Sequence, residues 1–342
     1  MNFSETSCEV FQADESTRLL MRIWMPKNKP RAIFLAIHGG MAHAGDWVTP
    51  ALYFMKKDIA TYAPDLRWHG TFPQYNLGTK VFFHIDSYDQ YVNDIHNMYT
   101  WISERHPGVP VFILSHSNGA LIALKYALTR AKGTDIKGFV VSSPWLKNKV
   151  EVPAVMISLS KILSKITPTM AVAPEPLTDK LTHDQGITAR HHADESAGLR
   201  GTKVSVRLGA ESMKTQGWVI ENMRYWEHFP LFAVIAGQDH LADPDVSEET
   251  LRTIPSPLLT LTRYEQNFHE NFNEINREEI YGQIAQWMEK LMGGGAKKSA
   301  AAPAKAKPKA APKAKAKPKA KAKPKAKPKA KAQPKKGSSK KK

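Results

Sequence analysis

Apolar residues along the chain follow two rhythms. One is the short unbroken run: RAIFLAIHGG (31–40), IATYAPD (59–65), PVFILS (110–115), IKGFVVSSP (136–144) and PLFAVIAGQD (230–239). Runs of this length, stopped by Gly, Pro, Asp or Ser, predict strands buried on both faces of a parallel sheet. The other rhythm is a three- and four-residue spacing. Tyr88, Tyr91, Val92, Ile95, Tyr99 and Ile102 give 86–105 one apolar face, Leu121, Ile122, Tyr126 and Leu128 continue a helix from Ser117, and 275–291 reads as a last amphipathic helix. Residues 8–13 and 18–24 read as an antiparallel pair at one edge. Strands that alternate with helices predict an α/β fold with a mainly parallel central sheet.

The interval 145–228 breaks this alternation. PAVMISLSKILSKI fits an amphipathic helix, a loop-like stretch follows, and another helix is expected near 209–224. No sheet strand is legible there. The interval reads as a helical cap, or lid, over the carboxyl edge of the sheet; ordinary core helices on the sheet's faces are the alternative. The core is then 1–144 with 229–295.

Charge separates the C-terminal end from the rest. Residues 296–342 hold twenty lysines and no acid, whereas 1–295 hold 29 basic and all 32 acidic residues. The repeated Lys-Ala and Lys-Pro units lack the apolar bulk that offsets ordering entropy, so 296–342 is expected to be a disordered tail. Such a tail binds polyanions (DNA, RNA, polyphosphate or an anionic membrane surface) by counterion release, without reading sequence. A merely solubilising tail is the alternative.

The single Cys8 leaves no internal disulfide framework and no cysteine-based zinc site. The first residues carry no basic and apolar leader, and the apolar runs are too short to span a bilayer. The expectation is a cytoplasmic protein, with the tail as a possible tether to the nucleoid or a membrane surface.

In parallel α/β sheets, ligands bind beyond the carboxyl ends of strands. Ser117 follows the run 111–114 in Ser115-His116-Ser117-Asn118-Gly119, Asp239 follows 231–236, and His269 follows 258–264. Each has a plainer role when taken alone: a helix cap, a turn residue, a loop histidine. Together they stand in the order Ser…Asp…His, each behind its own strand, as α/β-hydrolases require. His269 would then take the proton of Ser117 and Asp239 would hold the imidazole's tautomer. A second acid, Asp243, lies nearby. Backbone donors for an oxyanion are expected at Asn118, directly after the serine, and at Gly40 in the HGG loop.

Five stretches make the chain resemble the α/β-hydrolase family of monoacylglycerol lipases, lysophospholipases and serine aminopeptidase-type hydrolases. AIHGGMAHAGDW is similar to that family's H-G-x-x-x-H segment. APDLRWHGTF resembles D-x-R-G-H-G, with Trp68 for a glycine. LSHSNGALIAL resembles G-H-S-M-G-G, with Ser115 and Ala120 departing from it. VIAGQDHLADP and YEQNFHENFNE resemble the acid and histidine segments. The resemblance covers about 10–291. It implies an α/β-hydrolase core with a helical cap, no cofactor, and hydrolysis of a lipid-like ester. In the family pattern Asp243 matches the later acid of D-x-x-x-D, leaving Asp239 for the triad.

The resulting expectation is a serine esterase acting on monoacylglycerol or lysophospholipid. An aminopeptidase of the same fold is the alternative; it needs a carboxylate for the substrate's ammonium, for which Glu175, Asp179, Asp184, Asp194, Glu195 and Glu211 are available. A third reading makes the chain a polyanion-binding protein with a non-essential hydrolase domain.

Overall fold

The computed structural model describes residues 2–75 and 82–293. In chain order its elements are β1 (Ser7–Asp14), β2 (Thr17–Trp24), β3 (Ala32–Ile37), α1 (Val48–Met55), β4 (Ile59–Pro64), α2 (Phe72–Tyr75), α3 (Tyr88–Arg105), β5 (Val111–His116), α4 (Asn118–Thr129) and β6 (Gly138–Ser142). Then come α5 (Ala154–Ile166), β7 (Ala171–Val172), α6 (Gln185–Ser196), β8 (Val204–Ser205), α7 (Val206–Asn222), β9 (Leu231–Ala236), α8 (Pro244–Leu251), β10 (Leu259–Tyr264) and α9 (Arg277–Leu291).

Eight strands form one mixed sheet in the order β1-β2-β4-β3-β5-β6-β9-β10. The edge pair β1–β2 is antiparallel and β2 joins β4 antiparallel; the six strands from β4 to β10 are mutually parallel. Side chains alternate across a strand, so each unbroken apolar run feeds two cores. Ile33, Leu35 and Ile37 face Tyr88, Tyr91 and Leu121 on one side. Phe34 and Ala36 face Phe54, Ile284 and Trp287 on the other. This is the α/β fold with a mainly parallel sheet expected from the alternation of strands and helices, and it agrees with the α/β-hydrolase core that the resemblance implies.

The order of the strands places the site. From β3 the chain crosses to β4 on one side; from β5 it crosses to β6 on the other. The loops that leave β3 and β5 therefore diverge and open a crevice at the sheet's carboxyl edge, the switch point where ligands bind in such sheets.

In 145–228 the two expected helices are present as α5 and α7, but the interval holds more than was legible. The stretch expected as loop contains α6, and β7 and β8 pair as a separate two-stranded ribbon. The buried residues of α6 are Ile187, Thr188, His191 and Asp194, so its inner face is mostly polar and leaves little apolar period to read. Helix α5 packs on α7 with Ser164 turned inward, while Val155, Met156, Leu159, Ile162 and Ile166 are exposed. Among the described residues, no helix is long and apolar enough to cross a membrane. The lysine-rich 296–342, expected to be disordered, lies outside the described residues.

Candidate active site

Ser117 sits between β5 and α4 with φ 54° and ψ −119°, a conformation rarely adopted by a residue with a side chain. Its backbone N–H donates to Ser142 O (2.9 Å) and its carbonyl accepts from Leu121 N–H (3.1 Å) as α4 begins. Although Ser117 is the N-cap residue of α4, its side chain makes no capping bond. The hydroxyl meets His269 Nε2 at 2.8 Å instead.

His269 Nδ1 lies 2.6 Å from Asp239 Oδ2. The other carboxylate oxygen of Asp239 accepts from Leu241 N–H (2.8 Å) and Ala242 N–H (2.9 Å), which fixes the carboxylate before it meets the ring. Burial pushes the Asp239 carboxyl up, but the charge and hydrogen bond of His269 and the two backbone donors outweigh it and hold the group below the usual aspartate range. Ser117, Asp239 and His269 are all buried. The structure thus brings the three residues from 111–117, 231–239 and 259–269 into one line. Asp243 is elsewhere: it caps α8, accepting from Asp245 N–H and Val246 N–H.

The HGG loop lies against this line. A Cβ on Gly39 would stand 3.2 Å from Ser117 Cβ, and one on Gly40 would stand 3.6 Å from Asn118 Cβ. His38 organises the loop. Its Nε2 accepts from Leu66 N–H (3.0 Å), so the ring proton is on Nδ1, which donates to Gly39 O (2.7 Å). The peptide is planar and trans, so the Gly40 N–H points opposite to that pinned carbonyl. Burial holds the His38 ring down at about 4, which keeps it neutral. His116, whose ring packs on His269 at 4.7 Å, is likewise pushed down to about 3 by burial and then by the charge of His269.

A second buried polar cluster flanks the His269 loop. Glu270 accepts from His191 Nε2 (2.8 Å), Asn273 Nδ2 (2.8 Å) and Arg200 Nη2 (3.4 Å), and Arg200 also pairs with Asp46. Sequence reasoning missed it, because nothing marks His191 and Glu270 as partners. Within the cluster His43, Asp46 and Asp194 bring ligand atoms within 4.8 Å of one another. The set fits a metal poorly. His43 Nδ1 accepts from Gly45 N–H, so its Nε2 carries the proton given to Asp194 at 3.1 Å, and Arg200 already neutralises Asp46.

Residues 28–276 match the family described as serine aminopeptidase, S33, which is more than half of the chain. The chain belongs to this α/β-hydrolase family. It is 26% identical to the monoacylglycerol lipase of Mycolicibacterium smegmatis, over 79% of this chain and 92% of that one. It is 27% identical to an uncharacterized abhydrolase domain-containing protein of Dictyostelium discoideum, over 85% of this chain but only 30% of that longer protein. Its fold is similar to that of a soluble variant of monoglyceride lipase from Saccharomyces cerevisiae, solved with a substrate analog: TM-score 0.72, 18% identity, 84% of this chain and 96% of that one.

The departures from the family's motifs are accommodated locally. The Ser115 hydroxyl, fully buried, donates to Val140 O on the neighbouring strand at 3.0 Å, so it adds no unsatisfied group to the turn. Trp68 adopts φ +66°, the left-handed conformation that a glycine takes freely, and its ring stacks on Phe72 and Phe82.

Proposed function

We propose that the protein is a serine hydrolase that cleaves carboxylic esters of lipid-like substrates, monoacylglycerol or lysophospholipid, through an acyl-enzyme. The observation that carries this reading is the pair of contacts at His269, 2.6 Å to Asp239 and 2.8 Å to Ser117. With its Nδ1 proton directed to Asp239, the ring keeps Nε2 free to accept the Ser117 proton.

Ser117 Oγ attacks the ester carbonyl as His269 Nε2 takes its proton. The N–H groups of Gly40 and Asn118 receive the oxyanion, and each such donor is worth about 10²–10³ in rate. Collapse breaks the C–O bond, and His269 returns the proton to the leaving alkoxide. Water then attacks the acyl-enzyme with the same proton traffic, releasing the acid and restoring Ser117. Asp239 stabilises the imidazolium in both halves without taking its proton.

Two observations favour a lipid-like substrate: the relative named a monoacylglycerol lipase, and the exposed aliphatic face of α5. In this reading 145–228 serves as a cap. It meets the loops after β3 and β10 through His43–Asp194 and His191–Glu270. The family's description favours the aminopeptidase alternative. Against it, most acids available for a substrate ammonium already have partners in the chain. Asp184 pairs with Arg277, Asp194 with His43, Asp179 and Glu195 with His192, and Glu211 with Lys214.

A hydrolysis panel tests the proposal. It spans short and long p-nitrophenyl esters, monoacylglycerol, lysophosphatidylcholine and aminoacyl amides, with Ser117→Ala as control. Activity that survives Ser117→Ala sinks the triad, and preference for aminoacyl amides overturns the lipid reading. The lysine-rich segment is a separate question. Salt-dependent retention on DNA, full chain against 1–295, tests polyanion binding; unchanged retention removes it.

A further inference from the structure

Helix α7 presents two buried polar side chains one turn apart, Ser212 and Gln216, toward the Ser117 turn. Each reaches one of the two consecutive residues of that turn through a single intermediary. Gln216 Nε2 donates to Trp145 O (3.0 Å), and Trp145 N–H donates to Ser117 O (3.2 Å). Ser212 Oγ lies 2.8 Å from Tyr88 Oη, and Tyr88 Oη donates to Asn118 Oδ1 (2.7 Å).

In the second chain Tyr88 gives its one hydroxyl proton to Asn118 Oδ1, and Ser212 has one proton within reach of both Tyr88 Oη (2.8 Å) and Leu208 O (2.7 Å). Tyr88, Asn118 and Ser212 are all buried, and Tyr91, Leu121 and Leu208 line the apolar core around them. A polar node in such surroundings is tolerated only when its members satisfy one another. Burial raises the Tyr88 phenol, which stays protonated and remains a donor.

We propose that Ser212 and Gln216 make α7 a brace for the Ser117 turn. Through Tyr88 and Trp145 they hold the side chain of Asn118 and the carbonyl of Ser117, and so set the aim of the Asn118 N–H and the Ser117 hydroxyl. They are positioning residues and do not touch substrate. The inference rests on the reading of Ser117 as nucleophile and assigns a second task to a helix of the proposed cap.

The test uses the full chain and a short soluble ester. Tyr88→Phe and Ser212→Ala are each expected to lower kcat about tenfold with KM within about twofold, because a misaimed donor loses transition-state contact while substrate binding persists. The double variant should be no slower than the slower single one, since both residues act in one chain, and Ser212→Thr, which keeps the hydroxyl, should recover most of the rate. Unchanged kcat in folded Tyr88→Phe and Ser212→Ala overturns the brace, and so do losses that multiply in the double variant or arise in KM. Should Ser212→Ala fail to fold, Tyr88→Phe, which removes one oxygen, decides alone. Ser117→Ala separates the two levels: hydrolysis that survives it removes the nucleophile reading, whereas hydrolysis abolished by it but untouched by Tyr88→Phe removes only the brace.

Discussion

Gly119 rests directly on the end of β3: a Cβ at this position would lie 2.2 Å from the Ile37 carbonyl oxygen and 2.5 Å from that of His38. Backbone cannot yield as a flexible side chain does. The glycine two residues after Ser117 is therefore a packing requirement of the crevice, and it lets α4 approach the HGG loop. Gly119→Ala is expected to cost about 3 kcal/mol of stability, at the upper end of overpacking costs. Whatever folds should lose activity, because the displaced carbonyls carry Gly39 and Gly40. Urea unfolding monitored by tryptophan fluorescence measures the first effect and ester hydrolysis the second.

The two acids after β9 have separable consequences. Asp239→Asn keeps the size of the side chain but hydrogen-bonds the wrong tautomer of His269, and kcat should fall by about 10³–10⁴. Asp243→Asn keeps a capping side chain on α8 and should leave kcat within about twofold while shifting stability by less than about 1 kcal/mol. Equal losses from both would mean that Asp239 is not the partner of His269.

Stability should depend on pH through three buried histidines. His38 is held at about 4, His116 at about 3 and His69 well below 6.5, in each case first by burial. The unfolded chain binds protons near pH 6.5 that the folded chain refuses. These groups leave stability whole above pH 6.5 and remove it as pH falls from 6.5 toward 4, each by up to about 1.4 kcal/mol per pH unit. Urea midpoints at pH 7.5, 6.0 and 5.0 should decline in that order, and a flat series would contradict neutral burial.

The central strands were legible because β3, β4, β5, β6 and β9 are buried along their length, so each had to be an apolar run, whereas β1 and β10 at the sheet's edges are partly exposed. Ser117, Asp239 and His269 each follow a strand, and the strand ends bring them together from distant parts of the chain. What escaped was polar and non-local. Helix α6 buries His191 and Asp194, and its partners Glu270 and His43 lie 79 and 151 residues away. Tyr88 counted as one residue of an apolar face, whereas its hydroxyl joins three helices. Apolar spacing reports which face is inside, not which polar atoms meet there.

Trp68 offers a backbone test. Its φ of +66° costs a residue with a Cβ about 1 kcal/mol or more, whereas glycine adopts it freely. Trp68→Gly and Trp68→Ala both lose the stack on Phe72 and Phe82, so their difference isolates the backbone. The glycine variant should be the more stable by about 1 kcal/mol in denaturant unfolding. An alanine variant of equal stability would show that the turn relaxes out of the left-handed region.

Helix α5 keeps a serine dry and wets its aliphatic residues, so water around Leu159, Ile162 and Ile166 is held at an unfavourable free energy whenever the protein is alone. Any apolar body in the assay relieves it. Detergent is then not a neutral additive for this enzyme: rates taken below and above the critical micelle concentration belong to two differently solvated proteins.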